Sequence, residues 1–281
     1  MEKTMATSRH SSLPTMLRSR VPLTDEQIMR VAPSVFADQP HESRGERYAY
    51  IPTSRVVAGL RNEGFVPMAV GQSRTRIPGK RDFTKHMLRF RHHSAVDQIV
   101  GQEVPEIVLL NSHDGTSSYQ LMGGIFRLIC SNGMIVGDTT SEVRVRHSGN
   151  ILENVIEGSY EVINDIQRVI PVIDDWKKLH LTYEQRKAYA EAALGLRWDA
   201  DEGAPVSNTA LLATRRHEDR GESLWTTFNV VQENLIRGGI RGEGSTGRRM
   251  TTRAVASVTE NVKLNKSLWM LTEKMAELAT H

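Results

Sequence analysis

The sequence predicts an α+β protein: an antiparallel hairpin-rich sheet with a packed helix, followed by a mainly helical C-terminal region. Two observations carry this expectation. Between Tyr48 and Asp138, short apolar runs alternate with turn chemistry, and Asp114-Gly115 and Asn132-Gly133 are strong hairpin signals because glycine accepts the positive φ of a tight turn. From about Asn150 onward the apolar residues recur at helical spacing instead.

Residues 1–45 are polar and punctuated by Pro22, Pro33 and Pro40, so a largely irregular, weakly basic arm is expected. Thr24, Asp25 and Glu26 ahead of IMRVAPSVF predict one short capped helix within it. YAYI (48–51) reads as a short strand. Pro52, Thr53 and Ser54 then lead a helix that carries Val56, Val57 and Leu60 on one face and stops at Gly64. The following runs VPMAVGQSRTR, HMLRFRH, PEIVLLNS, SYQLMGGIFRLIC and MIVGD are strands, with Pro78-Gly79 marking one of the turns between them.

ILENVIEGSYEVINDIQRVIPVIDDW predicts a long helix kinked or broken at Pro171. LTYEQRKAYAEAALGL is a second helix, and Gly203, Pro205 and Ser207 mark a loop. SLWTTFNVVQENLIRGG is a third, with Trp225, Phe228, Val231 and Leu235 on one side. ENVKLNKSLWMLTEKMAEL is a fourth, with Val262, Leu268 and Leu271 apolar. The expected organisation is an arm over 1–45, an α+β domain over 46–170 and a helical region over 171–281 that includes a Gly/Arg-rich loop at 238–253. No internal repeat is found.

The 281 residues are 39% hydrophobic and 25% charged, ordinary values for a globular protein. No run approaches the roughly 18 apolar residues of a membrane span, and the N-terminus lacks the apolar core of a secretory signal, so a cytoplasmic protein is expected. Cys130 is the only cysteine and sits in the apolar run IFRLIC, where a buried structural thiol is expected. One cysteine excludes an intrachain disulfide framework or a cysteine-based zinc site. The net charge of +3 permits an anionic partner, and only clustering of the cations could demand one.

The cations do cluster. RTRIPGKRDFTKHMLRFR holds Arg74, Arg76, Lys80, Arg81, Lys85, Arg89 and Arg91 against one acid, Asp82. Alternation places Arg89 and Arg91 on one side of their strand and Leu88 and Phe90 on the other, predicting a hairpin with a cationic outer face. The second cluster is GGIRGEGSTGRRMTTR. Gly242, Gly244 and Gly247 match G-x-G-x-x-G, but they follow a helix rather than a buried strand, and Arg248-Arg249 stand where a P-loop needs Lys and a hydroxyl residue. Neither nucleotide motif is met. What remains is a glycine-rich loop whose Arg241, Arg248, Arg249 and Arg253 match phosphate oxygens in bidentate fashion.

Other candidates are weaker. His86, His92 and His93 have no carboxylate at a supporting spacing and read as surface histidines on a basic strand. Ser112-His113-Asp114 holds the residue types of a hydrolytic triad, yet chain neighbours cannot point at one another as a triad requires. Asp174, Asp175, Glu153 and Glu157 form no two-metal pattern. No enzyme, cofactor or metal is expected.

Two resemblances add to this reading. FRLICSNGMIVG (126–137), FNVVQENLIRGG (228–239) and RRMTTRAVASVTENVKLNKSLWMLTEKM resemble the YfjQ/YafZ-like family of prophage- and plasmid-borne proteins, which implies a mobile-element context. More remotely, GERYAYIPTSRVVAGLRNEGF resembles the opening of the annealing domain in single-strand annealing recombinases of the Rad-fifty-two type, through Tyr50, Ile51, Arg55, Val56, Val57, Asn62, Glu63 and Phe65. VLLNSHDGTSSYQLMGG is similar to the next hairpin of that superfamily. The resemblance implies an annealing-like domain at 46–170, an Arg55 that contacts single-stranded DNA, and assembly into a homo-oligomer such as a ring. The acidic residues Glu153, Glu157, Glu161 and Asp165 depart from the basic helix usual at that position.

Together these features predict an oligomeric single-stranded DNA-binding protein that anneals or recombines strands for a mobile element, with host or phage recombination proteins as possible partners. The alternative is a non-enzymatic protein-interaction factor, for counter-defence or regulation, whose cations meet an acidic protein surface.

Overall fold

The computed structural model describes residues 16–43, 50–77, 79–95, 103–127, 133–135, 142–147, 149–198, 203–244 and 247–280. Its centre is an antiparallel sheet of β1 (Met16–Arg18), β2 (Phe65–Gln72), β3 (His86–His92), β4 (Glu103–Asn111), β5 (Tyr119–Arg127), β6 (Gly133–Ile135) and β7 (Glu142–Val145). The first six follow chain order across the sheet, while β7 pairs with β5. β6 lies against Gly124–Phe126 and β7 against Tyr119–Met122, so the two occupy successive stretches of one edge of β5. The expected strands are present over 65–72, 86–92, 103–111 and 119–127. The run VPMAVGQSRTR, expected as one strand, ends at Gln72, so Arg74 and Arg76 lie in the β2–β3 connection and not side by side on a strand.

Residues 16–36 are more regular than the expected arm. β1 pairs with β2, and α1 (Asp25–Val31) begins with the capping box that Thr24 foretells: its hydroxyl accepts from the Gln27 amide while the Gln27 side chain accepts from the Thr24 amide. Leu23, Ile28, Val31, Ala32 and Val35 then bury in the core under the sheet. Each aliphatic side chain so buried contributes about 1.5–3 kcal/mol, which offsets the cost of ordering this segment. Residues 50–51 form no strand, a correction to the reading of YAYI, whose first two residues lie outside the described residues.

α2 (Thr53–Asn62) and α3 (Ile151–Gln167) cover one face of the sheet, where Val56, Val57, Leu60 and Val155 meet Leu88, Phe90, Ile107, Leu109 and Leu121. Gly64, at φ +84, turns the chain from α2 into β2. α3 gives way at Arg168 to α4 (Val169–Lys178), with Pro171 in the first turn of α4, where its missing N–H costs least.

α5 (Tyr183–Gly195), the short α6 (Asn208–Leu211), α7 (Leu224–Arg237) and α8 (Val258–Ala279) build a second core around Trp176, Tyr189, Trp225, Phe228, Leu268 and Trp269. The start of α8 also crosses the other face of the sheet. Val258 and Val262 pack there on Met87, Val108, Leu110, Met122 and Phe126. Both faces of the sheet are therefore covered.

Candidate nucleic-acid interface

The end of the sheet that carries the β2–β3 and β4–β5 connections is held by a buried polar network centred on Thr53, the first residue of α2. The Thr53 hydroxyl lies 2.9 Å from His86 Nε2, 3.1 Å from His113 Nε2 and 3.1 Å from Asn111 Nδ2. Ser34 Oγ donates to Gln72 Oε1 at 2.9 Å, so it accepts from His86 Nδ1, also 2.9 Å away. That assignment leaves His86 Nε2 as an acceptor of the Thr53 proton. His113 Nε2 and Asn111 Nδ2 then donate to Thr53, whose one proton and two lone pairs are all engaged. Tyr119 OH donates to the Ile51 carbonyl at 3.1 Å beside them.

His86, His113, Asn111, Thr53 and Ser34 are all fully buried. Burial, together with the nearby His113, pushes the His86 pKa down to about 3, and burial with the nearby His147 pushes His113 down to about 4. Both rings are neutral at ordinary pH. The network clamps the first turn of α2 onto β3, β4 and β5 and so fixes where Arg55, two residues on, leaves the helix.

Arg55 is exposed. Arg74, Arg76 and Arg81 are exposed in the β2–β3 connection at the same end of the sheet, and Lys80 and Lys85 are half-buried there. Lys80 is paired with Asp114 at 3.2 Å. Among the described residues, Arg55, Arg74, Arg76 and Arg81 have no ion-pair partner. Arg146, just past β7 where Val145 pairs with Tyr119, is exposed at the same end of the sheet, in a cleft it shares with Glu157 and Glu161 of α3, a cation that the sequence reading missed although EVRVR alternates openly.

Arg89 and Arg91 do not belong to this surface. They are 7% and 3% exposed, and both bind Glu106, which is fully buried: Arg89 Nε donates to Oε2 at 2.7 Å and Arg91 NH2 to Oε1 at 2.6 Å. The Arg89 guanidinium also lies over the Phe126 ring, 3.3 Å from its centre. The two arginines do share a side of β3 opposite Leu88 and Phe90, as alternation requires. That side is covered rather than exposed, because α8 packs across it.

The Gly/Arg stretch forms a hairpin of β8 (Arg241–Glu243) and β9 (Arg249–Thr251) rather than an irregular loop. Arg241, Arg248, Arg249 and Arg253 are all exposed. The Glu243 amide donates to the Pro205 carbonyl at 2.8 Å, which docks the hairpin on the 204–210 segment. Its link to the sheet runs through α8: Lys85 Nζ donates to Thr259 Oγ1 at 3.2 Å, and Arg253 precedes Thr259 by a few residues of chain. The β2–β3 connection and the hairpin therefore both adjoin the start of α8.

The remaining expectations separate cleanly. Ser112 accepts from the Ser117 amide at 2.8 Å, His113 turns to Thr53, and Asp114 accepts from the Thr116 amide at 3.0 Å, so the three form a turn and not a triad. Burial alone would raise the Asp114 carboxyl, but hydrogen bonds from Thr116, Ser112 and Lys80 bring it down to about 2. His86 is a buried network residue, not a surface histidine. The half-buried His92 and exposed His93 rings lie 4.3 Å apart, tilted at 42° to one another, with His92 Nδ1 2.8 Å from Ser94 Oγ. Among the described residues, no three His, Cys, Asp or Glu side chains are grouped to hold a metal ion. No helix among them is long and apolar enough to cross a membrane. Cys130 lies outside the described residues.

Comparison with known proteins supplies relatives without an assigned activity. The family model "Domain of unknown function (DUF932)" matches residues 40–269. The UPF0380 protein YafZ of Escherichia coli (strain K12) is 47% identical over 260 residues, covering 92% of this chain and 94% of the relative. The UPF0380 protein YfjQ of the same strain is 46% identical over 260 residues with the same coverage. No solved structure matches.

Proposed function

The chain belongs to the DUF932 family, a domain of unknown function, and on that premise we propose that it binds single-stranded DNA along the cationic end of its sheet. One observation carries the reading: three segments distant in sequence bring Arg55, Arg74, Arg76, Arg81 and Arg146 to a single end of one sheet, and among the described residues these guanidiniums have no acid partner. Exposed guanidinium groups neutralise a sugar–phosphate backbone without reading base edges, so little sequence preference is expected. The neutral, hydrogen-bonded floor beneath them holds the array still without cancelling its charge. The likeness of residues 45–65 to annealing recombinases supports the same use, strand annealing by an oligomer in the service of a mobile element.

Fluorescence anisotropy of a labelled single-stranded oligonucleotide, titrated at several salt concentrations, tests it. With about four phosphates neutralised, log affinity should fall with log salt at a slope of roughly −3. A slope near zero would sink the electrostatic reading. A duplex competitor that displaces the strand as well as unlabelled single strand does would remove the single-strand part. Mass photometry on the same samples tests assembly, and a monomer with and without DNA would remove the oligomer. If the cations instead meet an acidic protein, oligonucleotide will not compete with that partner.

A further inference from the structure

We infer that the groove between the β8–β9 hairpin and the 204–210 segment takes an unstacked base of the bound strand, while Arg241 and Arg249 at its rim hold the flanking phosphates. The inference rests on the single-stranded DNA reading and adds to it a second contact, away from the sheet.

The groove has a volume of about 960 Å³, room for more than one base, and it opens to solvent. Its composition is divided. Pro205, Val206 and Met250 supply apolar wall, and Arg241 and Arg249 supply positive charge. That pairing suits a nucleotide within a strand, which has a flat apolar face and a charged link on either side. A purely acidic peptide would leave the wall unused, and an apolar peptide would leave the arginines unused.

The groove is preformed. A Cβ on Gly242 would sit 1.9 Å from the Pro205 carbonyl oxygen, so only glycine lets β8 lie this close to the 204–210 segment, where the Glu243 amide then bonds Pro205. Gly242 is also the register partner of Met250. With no side chain opposite it, Met250 stays 41% exposed at the groove. A polarisable thioether held open in this way is a good surface for the face of a base. Glu243, the one acid in the lining, stands opposite Arg249 in the strand pair, and Arg241, Arg248 and Arg253 keep the hairpin positive.

The test uses the full chain, a labelled oligothymidylate, and a labelled strand of the same length made of abasic sugar–phosphate units, which keeps the charge and lacks the bases. The wild type should bind thymidylate roughly three- to tenfold more tightly than the abasic strand. Met250→Ala, at an exposed position and with its fold checked by circular dichroism, should shrink that preference. Arg241→Ala with Arg249→Ala should weaken both strands. Equal wild-type affinity for the two strands, a preference undiminished in Met250→Ala, or unchanged binding in the double arginine variant would each overturn the inference while leaving the sheet-end reading standing. Failure of the wild type to bind either strand, with polyglutamate bound instead, would remove both.

Discussion

Two hairpins in this molecule carry arginines one residue apart or nearly so, and they place them in opposite environments. In the β2–β3 hairpin, Arg89 and Arg91 are drawn under α8 and share the Glu106 carboxylate. In the β8–β9 hairpin, Arg248 and Arg249 face solvent. The local sequences do not separate the cases, since each has several cations and a single acid nearby. What differs is the cover. One sheet face receives Val258 and Val262 from a helix far along the chain, and the two-stranded sheet receives nothing on its outer side among the described residues. A buried cation is a structural part with an obligatory counterion, and an exposed one is available to a ligand.

Glu106→Gln should break the first half of this contrast with the largest effect. It leaves two buried guanidiniums without their shared charge, at a cost of about 3–5 kcal/mol, read as a lower urea midpoint. A midpoint within error of the wild type would mean that the pair is not buried as described.

The neutral floor under the exposed cations supplies the next test. The His86 and His113 pKa values lie at about 3 and about 4 in the fold, against 6.5 for a free ring. Both groups bind protons more readily in the unfolded chain, so their contribution is complete above pH 6.5 and is lost as the pH falls toward 4. The slope should approach about 1.4 kcal/mol per pH unit for each ring. Thermal melts that stay level from neutral pH down to about pH 5 would contradict a buried neutral pair.

The smallest stability effect sharpens the other half. Arg248→Ala with Arg249→Ala should change stability by no more than about 0.5 kcal/mol, measured by the same urea titration. A loss as large as that of Glu106→Gln would show that the hairpin arginines are structural after all.

Much of the fold was legible in the residues. The helical period located α5, α7 and α8, and the Asp114-Gly115 turn joined β4 to β5. The three-residue β1 is too short to show a period and β7 is barely longer, so they were not, whereas β6 holds the start of the expected MIVGD strand, whose last three residues lie outside the described residues. The Gly/Arg stretch hid a hairpin because its pairing depends on Pro205, a residue of another segment. Alternation sorted Arg89 and Arg91 from Leu88 and Phe90 correctly, but it names a shared face and is silent on what lies over it. The same alternation put His86 on the side of Leu88 and Phe90, a signal of burial that its basic neighbours masked. Charge density marked the exposed cations of the β2–β3 connection, while the strand expected to carry Arg74 and Arg76 stops at Gln72. The convergence of these cations with Arg55 and Arg146 was not legible, since it follows from which strand ends meet.

The cover that α8 lays over the sheet also sets an order of events. α8 occupies residues 258–279, after every strand of the main sheet, so it leaves the ribosome later than the sheet it covers. Until it does, Met87, Val108, Leu110, Met122 and Phe126 lack the side chains that shield them in the finished protein. Between those two points the chain carries an open apolar surface with Arg89, Arg91 and Glu106 set into it. Charge within such a face disfavours association between unfinished sheets.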